Sequence, residues 1–208
     1  MKRSGIVVVL AFALALVPLC GTAAERRPYT FDRAHSQVNF VAEALFLTAH
    51  GYFERFDADV QLDSEKLENS ALTFTIDAAS INTRVERRDN HLRSADFFDV
   101  ANHPKITFVA TKIRQVDGRN LVITGDLSIR GKTKTIDVPT ILVFLREGRG
   151  RFKGEFKINR QEFGISYNSR ANPIEDEVLV QFDLNLMDQQ QMQQRMQQPA
   201  KSGQRPPQ

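Results

Sequence analysis

The chain has 208 residues, with 28 Lys and Arg against 25 Asp and Glu and a single cysteine. Its formal charge of +3 falls to +1 when Lys2 and Arg3 are set aside, and to about −1 over residues 25–187, which leaves no electrostatic footprint for nucleic acid. Cys20 lies in the leader, so disulfides, thiolate catalysis and cysteine metal sites are excluded from the rest. About 160 residues remain, enough for one domain with its own core.

Lys2 and Arg3 precede an apolar run from Ile6 to Leu19 and small residues from Gly21 to Ala24, the pattern of an export signal cleaved after Ala24. The run is shorter than the ~20 residues that span a bilayer, against a retained anchor. Leu19 ahead of Cys20 disfavours lipid modification. The chain is therefore expected to be exported.

From Tyr29 a first strand places Val38 and Phe40 on one face and Gln37 and Asn39 on the other. Ala42 to Thr48 is apolar on both sides, consistent with a strand buried on both faces or a segment at a cavity mouth. Gly51 permits a bend or bulge. Phe56, Ala58, Val60 and Leu62 then alternate with polar residues, and after a turn at Ser64 to Asn69 so do Leu72, Phe74 and Ile76. Val85 to Phe98 breaks the alternation. Asp89 is expected to cap a short helix running through Phe97, with Leu92 and Ala95 on one side.

Strand character resumes at Ile106, Phe108 and Ala110. A hairpin at Asp117-Gly118 leads into a fifth strand, Leu121 to Ile129, and Gly131 with Lys132 turns the chain into a sixth, Thr135 to Leu145. There Pro139 marks a bulge or edge. Glu147-Gly148 turns into Phe152, Gly154, Phe156 and Ile158. The connection from Asn159 to Asp176 carries Phe163, Tyr167 and Pro173, enough apolar surface to pack down. Val178, Val180, Phe182, Leu184 and Leu186 form an eighth strand. Residues 188–208, with nine Gln and three Pro, are expected to be a disordered tail. The class is all-β, and alternation alone leaves barrel and sandwich both open. Closure would remove the aggregation-prone edges.

His35, His50, His91 and His103 fall on different elements and form no ligand pair, so no metal site is expected. There is no serine in a Gly-x-Ser-x-Gly setting, and Gly148-Arg149-Gly150 is a hairpin turn with no helix behind it. No cofactor and no enzymatic activity are expected. Arg84, Arg87, Arg88 and Arg93, with Asp89 and Asp96 among them, read either as a solvated helix face or as a cationic rim for a polar or phosphorylated head group. Phe40, Phe56, Phe74, Phe108, Phe156 and Phe182 sit on the apolar faces of alternating strands. In a sandwich or a filled barrel they would simply be core.

Several ordered motifs resemble the YceI-like, lipocalin-like family: Arg87 to Leu92, Ser94 to Asp99 and Pro104 to Phe108, with His35-Ser36 and Phe40 before them, and Gly125 to Gly131 and Asn159 to Ile165 after. The resemblance runs from about Tyr29 to about Met187. It implies an eight-stranded antiparallel lipocalin-like barrel, with one short helical insert between strands 3 and 4, that holds an isoprenoid-type lipid. The six phenylalanines would then line a cavity, with Phe97 and Phe98 contacting the lipid tail or closing one end, and Arg88 and His91 facing its head. The implied partner is an isoprenoid lipid such as a prenyl quinone or prenyl phosphate. A transient membrane or quinone-enzyme contact and a homodimer are compatible with that reading. Ala44 stands where the family usually has a histidine, so a role tied to that histidine does not carry over. The rival reading is a structural or stress-response module with a side-chain-filled barrel.

Overall fold

The computed structural model describes residues 26–197. The expected export signal and the last residues of the expected tail fall outside them. Alternation of apolar and polar residues puts successive side chains on opposite faces and yields eleven strand segments: β1 (Arg27–Phe31), β2 (Gln37–Ala44), β3 (Leu47–Phe53), β4 (Phe56–Leu62), β5 (Ala71–Asp77), β6 (Ile81–Asn82), β7 (Lys105–Gln115), β8 (Asn120–Ile129), β9 (Lys132–Arg146), β10 (Arg149–Asn159) and β11 (Ile174–Asp188). Helix α1 (Glu86–Arg93) follows β6, and α2 (Gln189–Gln197) follows β11.

Eight of the strands form a closed antiparallel ring, β1-β4-β5-β7-β8-β9-β10-β11, which β11 closes by pairing back to β1. At 15 residues, β11 is long enough to serve two neighbours in line. Leu186 to Asp188 pair with β1, whereas Ile174 to Asp183 pair with β2. Thus β1 and β2 are one barrel strand broken by the turn at Arg33–His35, and β3 and β4 are a second one broken at Glu54-Arg55. The hairpins at Arg130-Gly131 and Glu147-Gly148 carry positive φ at both central residues, the turn geometry whose twist matches antiparallel strands. Pro139 lies where β9 pairs with β8 but no longer with β10, whose ladder with β9 ends at Ile141, so its missing N–H interrupts no shared ladder. Gly154 of β10 lets the two backbones stay close there, since a Cβ would sit 2.3 Å from the Pro139 carbonyl oxygen.

Three expectations are corrected. Ala42 to Thr48 is neither a doubly buried strand nor part of the cavity lining: it ends β2 and begins β3, and at the turn between them Leu45 and Phe46 are 66% and 76% exposed. The helix of the insert runs Glu86–Arg93 and stops short of Phe97. Asp89 does not cap it, because its buried carboxylate instead accepts from the Thr83 amide at 2.8 Å and from the Thr83 hydroxyl, tying the helix back to the strand before it. Finally, Asp188 to Gln197 are structured. Asp188 is the last residue of β11, 1% exposed, and its Oδ1 accepts from the amides of Gln190 and Gln191, nucleating α2.

The connection after β10 packs down, with Phe163 and Ile165 buried in the core. Its organiser is Arg160, only 4% exposed. The guanidinium donates to four backbone carbonyls, those of Ile165 (2.7 Å), Tyr167 (2.8 Å), Ile174 (3.0 Å) and Glu175 (3.0 Å), and pairs with Asp176 at 2.9 Å. A buried cation is tolerated only when its donors are met in this way. Arg160→Met should therefore lower unfolding stability by about 3–5 kcal/mol in urea titrations. Arg160→Lys should recover little of it, because three ammonium donors lack the planar reach of the fork. Wild-type midpoints for either variant would refute this role.

Candidate functional site

Closing the sheet turns the alternating apolar residues inward, where they pack into two clusters. One, beneath α1, is built on Phe53, Ile81, Phe97 and Phe163; the other, at the opposite end, on Tyr29, Phe31, Leu62 and Leu67. Between and into the second cluster runs a cavity of about 160 Å3. Its lining is hydrocarbon apart from the side chains of Ser70 and Thr140. Both hydroxyls are engaged: Ser70 accepts from the Asp63 amide at 3.0 Å and Thr140 donates to the Val138 carbonyl at 3.2 Å. The cavity therefore rewards shape and apolarity and offers little directed polar chemistry.

The two ends differ. Under α1, Phe97, His91 and Tyr167 meet ring to ring with centroids 4.8–5.1 Å apart, and Phe98 meets Phe53 at 6.1 Å, so aromatic packing plugs the barrel. At the far end the β5–β7 ladder stops at Thr73 and Val109. Past a bulge near Ala110, β7 continues to Gln115 along β8. Along this unladdered stretch of wall the turn at Leu67–Asn69 packs against β7, with the Gln115 amide 3.4 Å from Glu68 Oε1, and Ser70, Ala71, Leu72 and Ile113 all line the cavity.

Of the phenylalanines singled out from the sequence, Phe74, Phe108, Phe156 and Phe182 line this cavity. Phe40, Phe56, Phe97 and Phe98 do not: Phe56 packs against both clusters, Phe40 and Phe98 pack against the one beneath α1, and Phe97 is a buried member of it. Phe97 and Phe98 reach it because the chain reverses after the helix, with the Phe98 amide donating to the Leu92 carbonyl at 3.0 Å and Asp99 at positive φ. Phe31 and Phe152 were missed although both line the cavity. The same period-two alternation in their strands pointed to them. Thr140 left no such signal.

Arg88 and His91 stand apart from the cavity lining. The Arg88 guanidinium donates to the hydroxyl and carbonyl of Thr83, at 2.7 and 2.9 Å, and His91 Nε2 lies 2.8 Å from the Asp96 carboxylate. Arg93 likewise donates to the carbonyls of Ala79 and Ile81, and Arg130 to those of Ala95 and Gly164. The arginines thus clasp the plugged end by satisfying backbone acceptors that would otherwise be stranded. Outside the wall, where both broken strands bend, a groove of about 740 Å3 is rimmed by Arg33, Arg55, Asp57, Asp77, Arg84 and Lys105. Two ion pairs cross it, Arg33 with Asp57 at 2.9 Å and Arg55 with Asp77 at 2.8 Å. Val38 forms part of both groove and cavity.

The loop beside Ser70 is pinned by Asp63. The Asn69 side-chain amide and the amides of Glu65 and Lys66 all donate to its carboxylate, holding its pKa below the usual carboxylate range, with the Asn69 bond the largest cause. A lowered folded-state pKa stabilises the fold above the unfolded value of about 3.9, and that contribution fades as pH falls through the folded-state value. Thermal unfolding midpoints should therefore lose this contribution only below about pH 4. Asp63→Asn should flatten that acid limb, and an unchanged limb would exclude Asp63 as a contributor.

This geometry has close parallels. The family model for the YceI-like domain matches residues 29–186. Protein YceI of Escherichia coli is 32% identical over 173 residues, covering 79% of this chain and 88% of that protein. A UPF0312 protein of Staphylococcus epidermidis is 37% identical over 147 residues, covering 67% and 83%. Among solved structures, BcnA of Burkholderia cenocepacia superposes with a TM-score of 0.69 at 29% identity, covering 74% of this chain and 98% of that one. A polyisoprenoid binding domain from Saccharophagus degradans shares the fold, with a TM-score of 0.64 at 16% identity over 78% of this chain and 99% of that one. An eight-stranded closed barrel, a helical insert over an aromatic plug and a family match spanning the whole barrel together place this chain in the YceI-like family.

Proposed function

We propose that this chain is an exported lipid-binding protein that holds a polyisoprenoid, a prenyl quinone or prenyl phosphate, in its barrel cavity and carries or sequesters it through the periplasm. The observation that carries this reading is the cavity itself: an internal space walled by hydrocarbon, plugged at one end and bordered at the other by a gap in the ladder between β5 and β7. A domain of the same fold is a polyisoprenoid binding domain. Apolar burial at about 25 cal/mol per Å2 makes a prenyl chain a favourable guest with few directed contacts. The chemistry is binding and shielding from water, with no covalent step.

Size sets a condition on this reading. An apolar cavity of about 150 Å3 takes a guest the size of benzene, and this one measures about 160 Å3. A chain of several isoprene units enters only if lining rings such as Phe108 and Phe156 swing aside. The same small volume favours the rival reading, a barrel filled by its own side chains and acting through its surface.

Native mass spectrometry of protein exported to a periplasm and purified without detergent separates the two. The carrier reading expects a discrete added mass that extracts as a prenyl lipid. It further expects Ala71→Phe, which narrows the unladdered end, to reduce prenyl uptake about tenfold, a change of about 1.4 kcal/mol. Phe156→Ala, which widens the cavity, should lower the stability of the empty barrel by about 3–5 kcal/mol, with part of the loss restored by saturating prenyl lipid. A bare polypeptide that takes up no offered prenyl lipid would overturn the carrier reading in favour of the filled barrel.

A further inference from the structure

At the turn between β2 and β3, Leu45, Phe46 and Leu47 are 66%, 76% and 43% exposed. The other large apolar side chains recorded as exposed, Val85, Val109, Val116, Ile141 and Met196, stand singly, which is ordinary for a protein surface. Three in succession on a projecting turn is a different matter, since contiguous exposed apolar surface marks an interaction site.

The tip is held out rather than left loose. The Leu45 amide donates to the Pro173 carbonyl at 3.0 Å and the Phe46 amide to the Asn172 side-chain oxygen at 3.0 Å. Below the tip, the Thr48 hydroxyl donates to the Glu43 carboxylate across the hairpin at 2.6 Å. The strap that supplies Asn172 and Pro173 is itself fixed, with the Asn172 amide donating to the Ser169 hydroxyl at 3.2 Å and the Ile174 amide to the Asn168 side chain at 2.9 Å. A backbone held in this way has little further ordering entropy to lose on contact. The tip could instead have folded back onto the barrel, yet these bonds keep all three side chains in water.

We propose that Leu45, Phe46 and Leu47 form a wedge that inserts into the surface of a lipid bilayer and docks the barrel there. Two observations favour a bilayer over a second copy of the chain. A stable protein interface buries roughly 800 Å2 per partner, whereas a phenylalanine buries about 150–250 Å2, so three side chains on a turn fall well short of such an interface. A bilayer demands no complementary shape and accepts a shallow apolar wedge. The polar pair Glu43 and Thr48 directly beneath the tip limits its depth to the interfacial layer. Arg170 is exposed on the strap that holds the tip, and a guanidinium suits a lipid phosphate. The wedge rests on the carrier reading only for its purpose, as the place where cargo passes between membrane and barrel.

The experiment is flotation of the chain lacking residues 1–24 with vesicles of phosphatidylethanolamine and phosphatidylglycerol free of prenyl lipid. Wild-type protein is expected to float with the vesicles. Replacing all three residues (Leu45→Ser, Phe46→Ser and Leu47→Ser together) should lower the bound fraction at least about tenfold, with an unchanged unfolding midpoint because the positions are exposed. As a second probe, Phe46→Trp should retain binding, and its emission should shift to shorter wavelength on adding vesicles. The proposal is overturned if wild-type protein stays with the aqueous phase, if the triple variant floats as well as wild type, or if the tip variants alter only self-association in sedimentation. Uptake of prenyl lipid delivered from ethanol is read separately: the triple variant should retain it at equilibrium while slowing its transfer from vesicles. Should no version take up prenyl lipid, the carrier reading falls while the flotation result still decides the wedge.

Discussion

The structure depends on the sharing of one strand. The fifteen residues of β11 close the barrel by hydrogen-bonding β10 along one edge and, in line along the other, first β2 and then β1. No backbone group on that strand can serve two partners at one position, so β1 and β2 must occupy successive lengths of it, and the chain between them breaks at Arg33–His35. The second strand breaks in register with the first, at Glu54-Arg55. Closure thus produces three things at once: an interior lined by apolar side chains, a groove where the broken strands bend, and a β2–β3 hairpin that projects past the break.

The two ends of the interior are managed by different physics. Beneath α1 the barrel is filled by aromatic rings, and the polar backbone around them is satisfied by arginines. Arg88, Arg93, Arg130 and Arg160 spend their guanidinium donors on backbone carbonyls. The planar fork suits this, because one side chain reaches several carbonyls in and beside the segments at 79–95 and 164–175. At the other end β7 leaves β5, and apolar side chains face a space whose polar lining, the Ser70 and Thr140 hydroxyls, is already hydrogen-bonded. A plug at one end and an apolar space at the other give the interior a direction.

Much of the candidate site could be read from the chain, for a stated reason. Phe74, Phe108, Phe156 and Phe182 point into the cavity because a strand places every second residue on the same face, and that face is the inside of any closed sheet. Phe31 and Phe152 obey the same rule. Phe40 and Phe56 obey it too, yet fill rather than line, because Phe40 packs on Phe53 and over Gly51, and Phe56 packs on Phe31 and Phe74. The insert was recognisable as a break in alternation, but the role of Asp89 was not: its carboxylate reaches back to Thr83 rather than to the helix amides ahead of it. Arg160 carried no local mark of burial, since nothing in Asn159-Arg160-Gln161 says that its guanidinium will find four carbonyls.

What the sequence by itself determined was most of the strands, the tight turn at Glu147-Gly148, a turn at Gly131 one residue out of its observed register, the inward faces, and, through its family resemblance, the closed barrel. These follow from properties with a reach of a few residues: pleat alternation, positive-φ turn geometry and the loss of periodicity at the insert. Only the tertiary structure decided which inward residues line a cavity and which fill a plug, where Ala42 to Thr48 ends up, and that Asp188 caps a helix. Each of these depends on the distance between segments far apart in the chain, on where β7 leaves β5 and where β11 passes from β2 to β1. Local periodicity records the face a residue takes, and only closure sets what stands opposite it.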